Sequence, residues 1–210
     1  MVVDLSHAIE NGMTFFPGDP EPRIEETLSP PSWRVTVLHI GSHTGTHVDA
    51  PSHYIPDGLT IDTYPPRRFL VDGVVVPALG LDPDEAIDWA AVAPSVTRLP
   101  QGGAVVLHTG WDARWGSDDY LSHPYLRDEA ARRLVAAGAG LVAIDALNVD
   151  STPQGRATVH EILLGADVLI VENVRGLEQL ESGRPYRFAF LPLRLTGLDG
   201  SPVRAVAWDE

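Results

Sequence analysis

The stretch LRDEAARRLVAAGAGLVAI (Leu126–Ile144) decides the fold class. Its first part, Leu126 to Ala137, reads as a helix, and Gly138 and Gly140 end it. Leu141–Ile144 is then a short apolar run, the mark of a buried strand. The same order returns almost at once. Thr158 is positioned to cap a helix over Val159–Leu164, Gly165 closes it, and Val168–Val171 reads as the next strand. A helix, a short loop and a strand, repeated, predict an α/β sheet with parallel pairing.

Working outward, residues 2–5 read as a short strand, followed by a loop rich in glycine and proline through Pro22. Residues 33–41 are strand-like, and residues 73–77 form an apolar run that reads as a buried strand. Asp82 to Ala93 is expected to be helical, with Asp82 as cap, Pro83 in the first turn and Pro94 beyond the end. Ala104–His108 is another buried strand, ending at Thr109-Gly110. Trp111–Tyr125 is a loop dense in aromatics that either lines a binding cleft or packs onto the body; His123 within it reads as structural. The C-terminal end changes character. Tyr186–Leu195 and Val203–Trp208 read as strands of an antiparallel hairpin across Gly197–Ser201. The expected fold class is therefore α/β, a single domain over residues 1–210 with a mixed β-sheet and flanking helices.

Composition narrows the function classes. The 210 residues are 44% hydrophobic, ordinary for a globular chain. Fifteen basic against 29 acidic residues give a net charge of -14, which disfavours phosphate backbones and anionic membranes, so neither nucleic acid nor membrane is an expected partner. The absence of cysteine removes thiolate and disulfide chemistry. No basic-then-apolar leader opens the sequence and no apolar stretch reaches membrane-spanning length, so a cytoplasmic location is the expectation.

The densest chemistry lies in SHTGTHVDAPSHY (Ser42–Tyr54), with His43, His47, Asp49 and His53. Imidazole and carboxylate together suit a divalent metal such as zinc or manganese. Thr44, Gly45 and Thr46 are poor helix formers, and on a helix Asp49 would lie about 240° round from His43. On a strand His43, His47 and Asp49 share a face, but an extended run would span roughly 20 Å. A strand that bends sharply, with Gly45 supplying the bend, reconciles the two. Pro51 then stops regular continuation.

HTGTHVDAPSH resembles the signature of the putative-cyclase family of metal-dependent hydrolases, which includes the bacterial kynurenine formamidases (arylformamidases) and, as relatives, isatin hydrolases. The resemblance extends to Asp4-Leu5-Ser6-His7, Phe16-Pro17-Gly18-Asp19-Pro20, Thr109-Gly110-Trp111, Ile144-Asp145 to Asp150, His160 and Val171-Glu172-Asn173, in the family's order. It implies a swivelling β/β/α, cyclase-like arrangement and a homodimer or larger homo-oligomer.

The resemblance also implies a site. His43, His47 and Asp49 would form the first metal position, and Asp49, His160 and Glu172 the second, with one or two zinc ions, manganese being an alternative. His53 would be the catalytic acid and base, the alternative being a third ligand of the first metal. Phe16 would contact substrate, where kynurenine formamidases tend to have tryptophan. Glu172 matches the formamidase pattern, since a glutamine resembles the isatin-hydrolase ligand. Asp145 and Asp150 are candidates for orienting a ligand imidazole. The implied reaction is hydrolysis of a small aromatic amide, N-formyl-kynurenine to kynurenine and formate in tryptophan catabolism, with hydroxide held on the metal as nucleophile. Isatin or another cyclic amide is the alternative substrate, and a metal-supported binding protein the non-enzymatic alternative.

Overall fold

The computed structural model describes residues 1–26 and 33–209. The strands are β1 (Val2–Asp4), β2 (Arg23–Glu26), β3 (Thr36–His39), β4 (His47–Asp49), β5 (Leu70–Pro77), β6 (Ala86–Ile87) and β7 (Ala104–His108). They continue as β8 (Tyr125–Leu126), β9 (Leu141–Ile144), β10 (Leu169–Glu172), β11 (Pro185–Ala189), β12 (Gly200–Pro202) and β13 (Val206–Trp208). The helices are α1 (Trp89–Val96), α2 (Asp128–Ala136) and α3 (Thr158–Gly165).

Nine strands form one mixed sheet in the order β1-β13-β11-β5-β7-β9-β10-β4-β12. Its centre, β5-β7-β9-β10, is parallel, and the strands on either side pair antiparallel. The central runs Ala104–His108 and Leu141–Ile144 are buried on both faces, as parallel strands covered on both sides must be. Alternation sorts their side chains. Val105, Leu107, Val142 and Ile144 join the cluster under the three helices, with Val92, Leu134 and Leu163. Ala104, Val106, Leu141 and Ala143 face a second cluster with Val48, Phe188 and Phe190. The sheet curls around that second cluster until its ends meet. Ser6, beyond β1, bridges to Val174, beyond β10, and the His7 amide donates to Thr46 Oγ1, just before β4, at 2.9 Å.

The helix–loop–strand units stand where the sequence places them, with altered edges. Leu126 belongs to β8, because its amide donates to Val149 and the next one, of Arg127, donates to Ile87, so α2 begins at Asp128. Thr158 is the first residue of α3 and supplies no side-chain cap; the Asp150 carboxylate accepts from the Val159 and His160 amides instead, each at 2.9 Å.

The helix expected over Asp82–Ala93 is absent as such. Residues 82–85 form a turn, Asp84 is left-handed (φ 56°), and α1 starts only at Trp89 with Pro94 inside it. Ile87 decides the outcome. It is buried and pairs in parallel with Leu126, and that tertiary pairing outweighs the local capping signal.

Residues 33–41 also change, contracting to Thr36–His39. This strand pairs with Arg23–Glu26 in a separate, exposed two-stranded sheet. At the C-terminus, β11 and β13 do pair antiparallel, but their connection is longer than a hairpin turn: Gly200–Pro202 crosses to become β12 on β4.

Asp145, at the end of β9, accepts hydrogen bonds from the Thr109 amide and hydroxyl and the Gly110 amide at 2.6–3.0 Å. Burial nonetheless pushes its carboxyl up from 3.8 to about 7, the donors only partly opposing it. A folded pKa above the unfolded one favours the protonated form in the native state. The stabilisation is then full below pH 3.8 and is lost as pH rises through 7. Urea unfolding at pH 5 and pH 8 should therefore show a fall in stability that is smaller in Asp145→Asn.

Candidate metal centre and adjoining cavity

Strand β4 carries the core of the site. Period-2 alternation turns His47 and Asp49 to one face and sends Val48 into the second apolar cluster. Glu172 lies directly opposite His47 in the β4–β10 register, so their side chains are neighbours. His43 precedes the strand, in a turn, and Gly45 makes the expected bend with φ 64°. The bend returns His43 Nδ1 to 2.8 Å from Asp49 Oδ1. On the other side, Gly200 lets β12 lie close: a Cβ there would stand 2.8 Å from the His43 ring and from the Val48 carbonyl.

Two imidazoles are pinned through Nδ1. His47 Nδ1 donates to the Gly45 carbonyl at 2.8 Å, and His160 Nδ1 donates to Asp150 Oδ2 at 2.9 Å. Each Nε2 then faces carboxylate oxygen. His47 Nε2 is 3.2 Å from Asp49 and 3.5 Å from Glu172; His160 Nε2 is 3.6 Å from Asp49 and 3.4 Å from Glu172. Of the two carboxylates proposed to orient ligands, Asp150 therefore holds His160, while Asp145 holds the Thr109–Gly110 turn instead. Because the same Asp150 carboxylate also caps α3, helix start and imidazole orientation are one arrangement.

His43, His47 and Asp49 have ligand atoms within 4.8 Å of one another, as do Asp49, His160 and Glu172. The two sets share Asp49, which is fully buried and whose Oδ2 has no hydrogen-bond partner among the described residues. An orphaned buried carboxylate oxygen facing imidazole lone pairs fits a divalent cation. Burial disfavours charge on His43, but its bonds to Asp199 and Asp49 prevail and raise it to about 10. His160 is raised likewise, its bond to Asp150 and the nearby Asp49 and Glu172 carboxylates overcoming burial. Burial would raise Asp49, but the surrounding histidines hold it well below the usual carboxylate range.

Asp199 is a member of this site that the sequence reading missed. It accepts from His43 Nε2 at 2.9 Å and lies 3.3 Å from His53 Nδ1, joining these two in a third close set. Its position in Gly197–Ser201 reads as a turn, and only the crossing of β12 brings it to β4. His53 itself lies in the short 3-10 turn Pro51–His53, its ring 4.0 Å from that of His43. Burial lowers its pKa.

A cavity of about 210 Å³ opens beside the cluster, lined by His43, His47, His53 and Glu172 and walled by Phe15, Phe16, Tyr54 and Leu147. Phe16 thus stands on the cavity, at its exposed rim. Nothing from Trp111–Tyr125 lines it. Trp111, Tyr120 and Tyr125 are buried and Trp115 stacks on His7 at 3.9 Å, so the aromatic loop packs onto the body. It still reaches the site indirectly. The Tyr120 hydroxyl donates to Asn173 Oδ1, and Asn173 Nδ2 donates to the Gly45 carbonyl that orients His47. His123 is structural, bonded to the Pro124 carbonyl and Thr152.

Known proteins resemble the chain over nearly its whole length. The family model described as "Putative cyclase" matches residues 3–151. The chain is 33% identical to a kynurenine formamidase of Paracidovorax citrulli, covering 98% of this chain and 95% of the relative. It is 29% identical to a kynurenine formamidase of Delftia acidovorans, at 97% and 95% coverage. Isatin hydrolase A from Labrenzia aggregata superposes with a TM-score of 0.86 at 25% identity, over 99% of this chain and 93% of that one. A structure described as a potential metal-dependent hydrolase with cyclase activity superposes at 0.83, also at 25% identity, covering 100% and 98%.

Removing the Asp150 carboxylate tests the arrangement through metal affinity. Asp150→Asn should weaken divalent-metal binding by about 10- to 100-fold, the usual cost of losing a group that orients a ligand imidazole. Competition with a chromophoric chelator measures it.

Proposed function

The chain belongs to the putative cyclase family of metal-dependent hydrolases acting on carbon–nitrogen bonds, and we propose that it hydrolyses N-formyl-kynurenine, or a close aryl formamide, to the aromatic amine and formate. One observation carries the reading: the pinned Nε2 atoms of His47 and His160 converge with Asp49 and Glu172, and His47 and Glu172 of this cluster line an aromatic-walled cavity. The named relatives supply the substrate class.

We assign His43, His47 and Asp49 to one metal position and Asp49, His160 and Glu172 to the other, for one or two zinc ions, with manganese compatible with the same donors. A divalent ion there supplies an electrophile for the amide carbonyl and lowers the pKa of water towards neutrality. The protein's part is to move protons. Because burial lowers its pKa, His53 is a neutral base at physiological pH. With Nδ1 held by Asp199, its Nε2 is free to take a proton from the attacking water. The same nitrogen returns that proton to the amine as the C–N bond breaks, and the second proton of the water is released as formic acid ionises to formate, one proton per cycle. Phe16 and Tyr54 are among the walls of a space large enough for one aromatic ring.

Isatin is the second reading, favoured by the 0.86 superposition on isatin hydrolase A. A site that only supports the fold needs neither a free histidine nor a cavity beside it, which weighs against the binding-protein alternative. We extend the proposal to residues 1–210 as one catalytic unit, working as a cytoplasmic homodimer. Among the described residues, no helix is long and apolar enough to cross a membrane.

Kinetics on N-formyl-kynurenine and isatin, with metal content measured alongside, test the reading. Rapid formamide hydrolysis is expected, with kcat reduced about 100-fold or more in His53→Ala at unchanged metal content. Isatin turnover alone would replace the substrate. Turnover of neither by metal-replete protein would contradict the proposal.

A further inference from the structure

Apart from the Tyr54 phenol, the ionisable groups on the cavity lining are carboxylates and imidazoles. Its apolar walls are Phe15, Phe16, Tyr54 and Leu147, and no lysine or arginine lines it. The carboxylates on its lining are Glu172, already within the metal cluster, and Asp19. Asp19 follows the Pro17-Gly18 turn, where its amide donates to the Phe16 carbonyl at 3.0 Å. Its own carboxylate is exposed and makes no hydrogen bond or ion pair within the described residues. A free carboxylate at an aromatic-walled opening attracts a cation and has nothing internal to neutralise it. The neighbouring aromatic faces favour the same charge.

We propose that Asp19 is a specificity residue that accepts a hydrogen bond from the primary ammonium group of an amino-acid-bearing aryl amide. The inference rests on the hydrolase reading above and deepens it. N-formyl-kynurenine carries such an ammonium on a short chain from its ring; isatin carries none. With no lysine or arginine on the cavity lining, the substrate's carboxylate is left to solvent. Asp19 thus sorts the two candidate substrates by charge.

The test compares N-formyl-kynurenine with its Nα-acetyl derivative, in which the ammonium becomes a neutral amide and the carboxylate stays. Wild type, Asp19→Asn and Asp19→Glu are assayed on both. The KM for N-formyl-kynurenine, relative to that for the acetylated compound, should rise about fivefold in Asp19→Asn, the scale of an exposed ion pair. Asp19→Glu should restore most of that ratio, and added salt should shrink the difference between wild type and Asp19→Asn. If Asp19→Asn changes both KM values equally, Asp19 only shapes the turn and the inference is overturned while the hydrolase reading stands. If wild type hydrolyses neither compound, the hydrolase reading fails and the inference falls with it.

Discussion

The buried carboxylate of Asp49 is the constraint on which the rest of the site depends. It is wholly removed from solvent, with one oxygen 2.8 Å from His43 and the other unpartnered among the described residues. An uncompensated carboxylate in such a place costs several kcal/mol in any realistic medium, about enough to cancel a domain's stability. The chain compensates by surrounding it with imidazoles rather than with lysine or arginine. Imidazoles can share protons when no ion is present and offer lone pairs when one is, which a fixed cation cannot do. The high proton affinities of His43 and His160 belong to the first condition, and the pinned Nε2 atoms would serve the second in the proposed metal positions.

The fold exists, in functional terms, to bring distant positions to this carboxylate. The β4–β10 register sets Glu172 against His47, and α3, capped by Asp150, presents His160. The crossing of β12 delivers Asp199 to His43 and His53. Each contribution comes through backbone pairing or helix capping, so the site is held by the sheet rather than by a mobile loop. The aromatic segment after β7 acts at one remove, through Tyr120, Asn173 and the Gly45 carbonyl.

Much of this was legible in the sequence where local signals and tertiary packing agree. The two helix–strand units, the bend at Gly45 and the clustering of His43, His47 and Asp49 follow from glycine placement, apolar runs and residue chemistry. His160 and Glu172 needed the family resemblance, because no local spacing links them to residues a hundred positions earlier. The misses share one cause. Asp82-Pro83 looks like a helix start until Ile87 is drawn into pairing with Leu126, and Gly197–Ser201 looks like a hairpin turn until Gly200 docks on β4. Asp199 was hidden by the second of these, since its role exists only after the sheet has curled on itself.

The most direct test of the account is zinc titration of metal-stripped wild type against Asp49→Asn, with circular dichroism confirming that both are folded. Wild type is predicted to take up zinc, and the variant to lose at least about a hundredfold in affinity, because both proposed positions share that carboxylate. A folded Asp49→Asn that binds zinc as tightly as wild type would contradict the claim that this buried oxygen is where the metal is held.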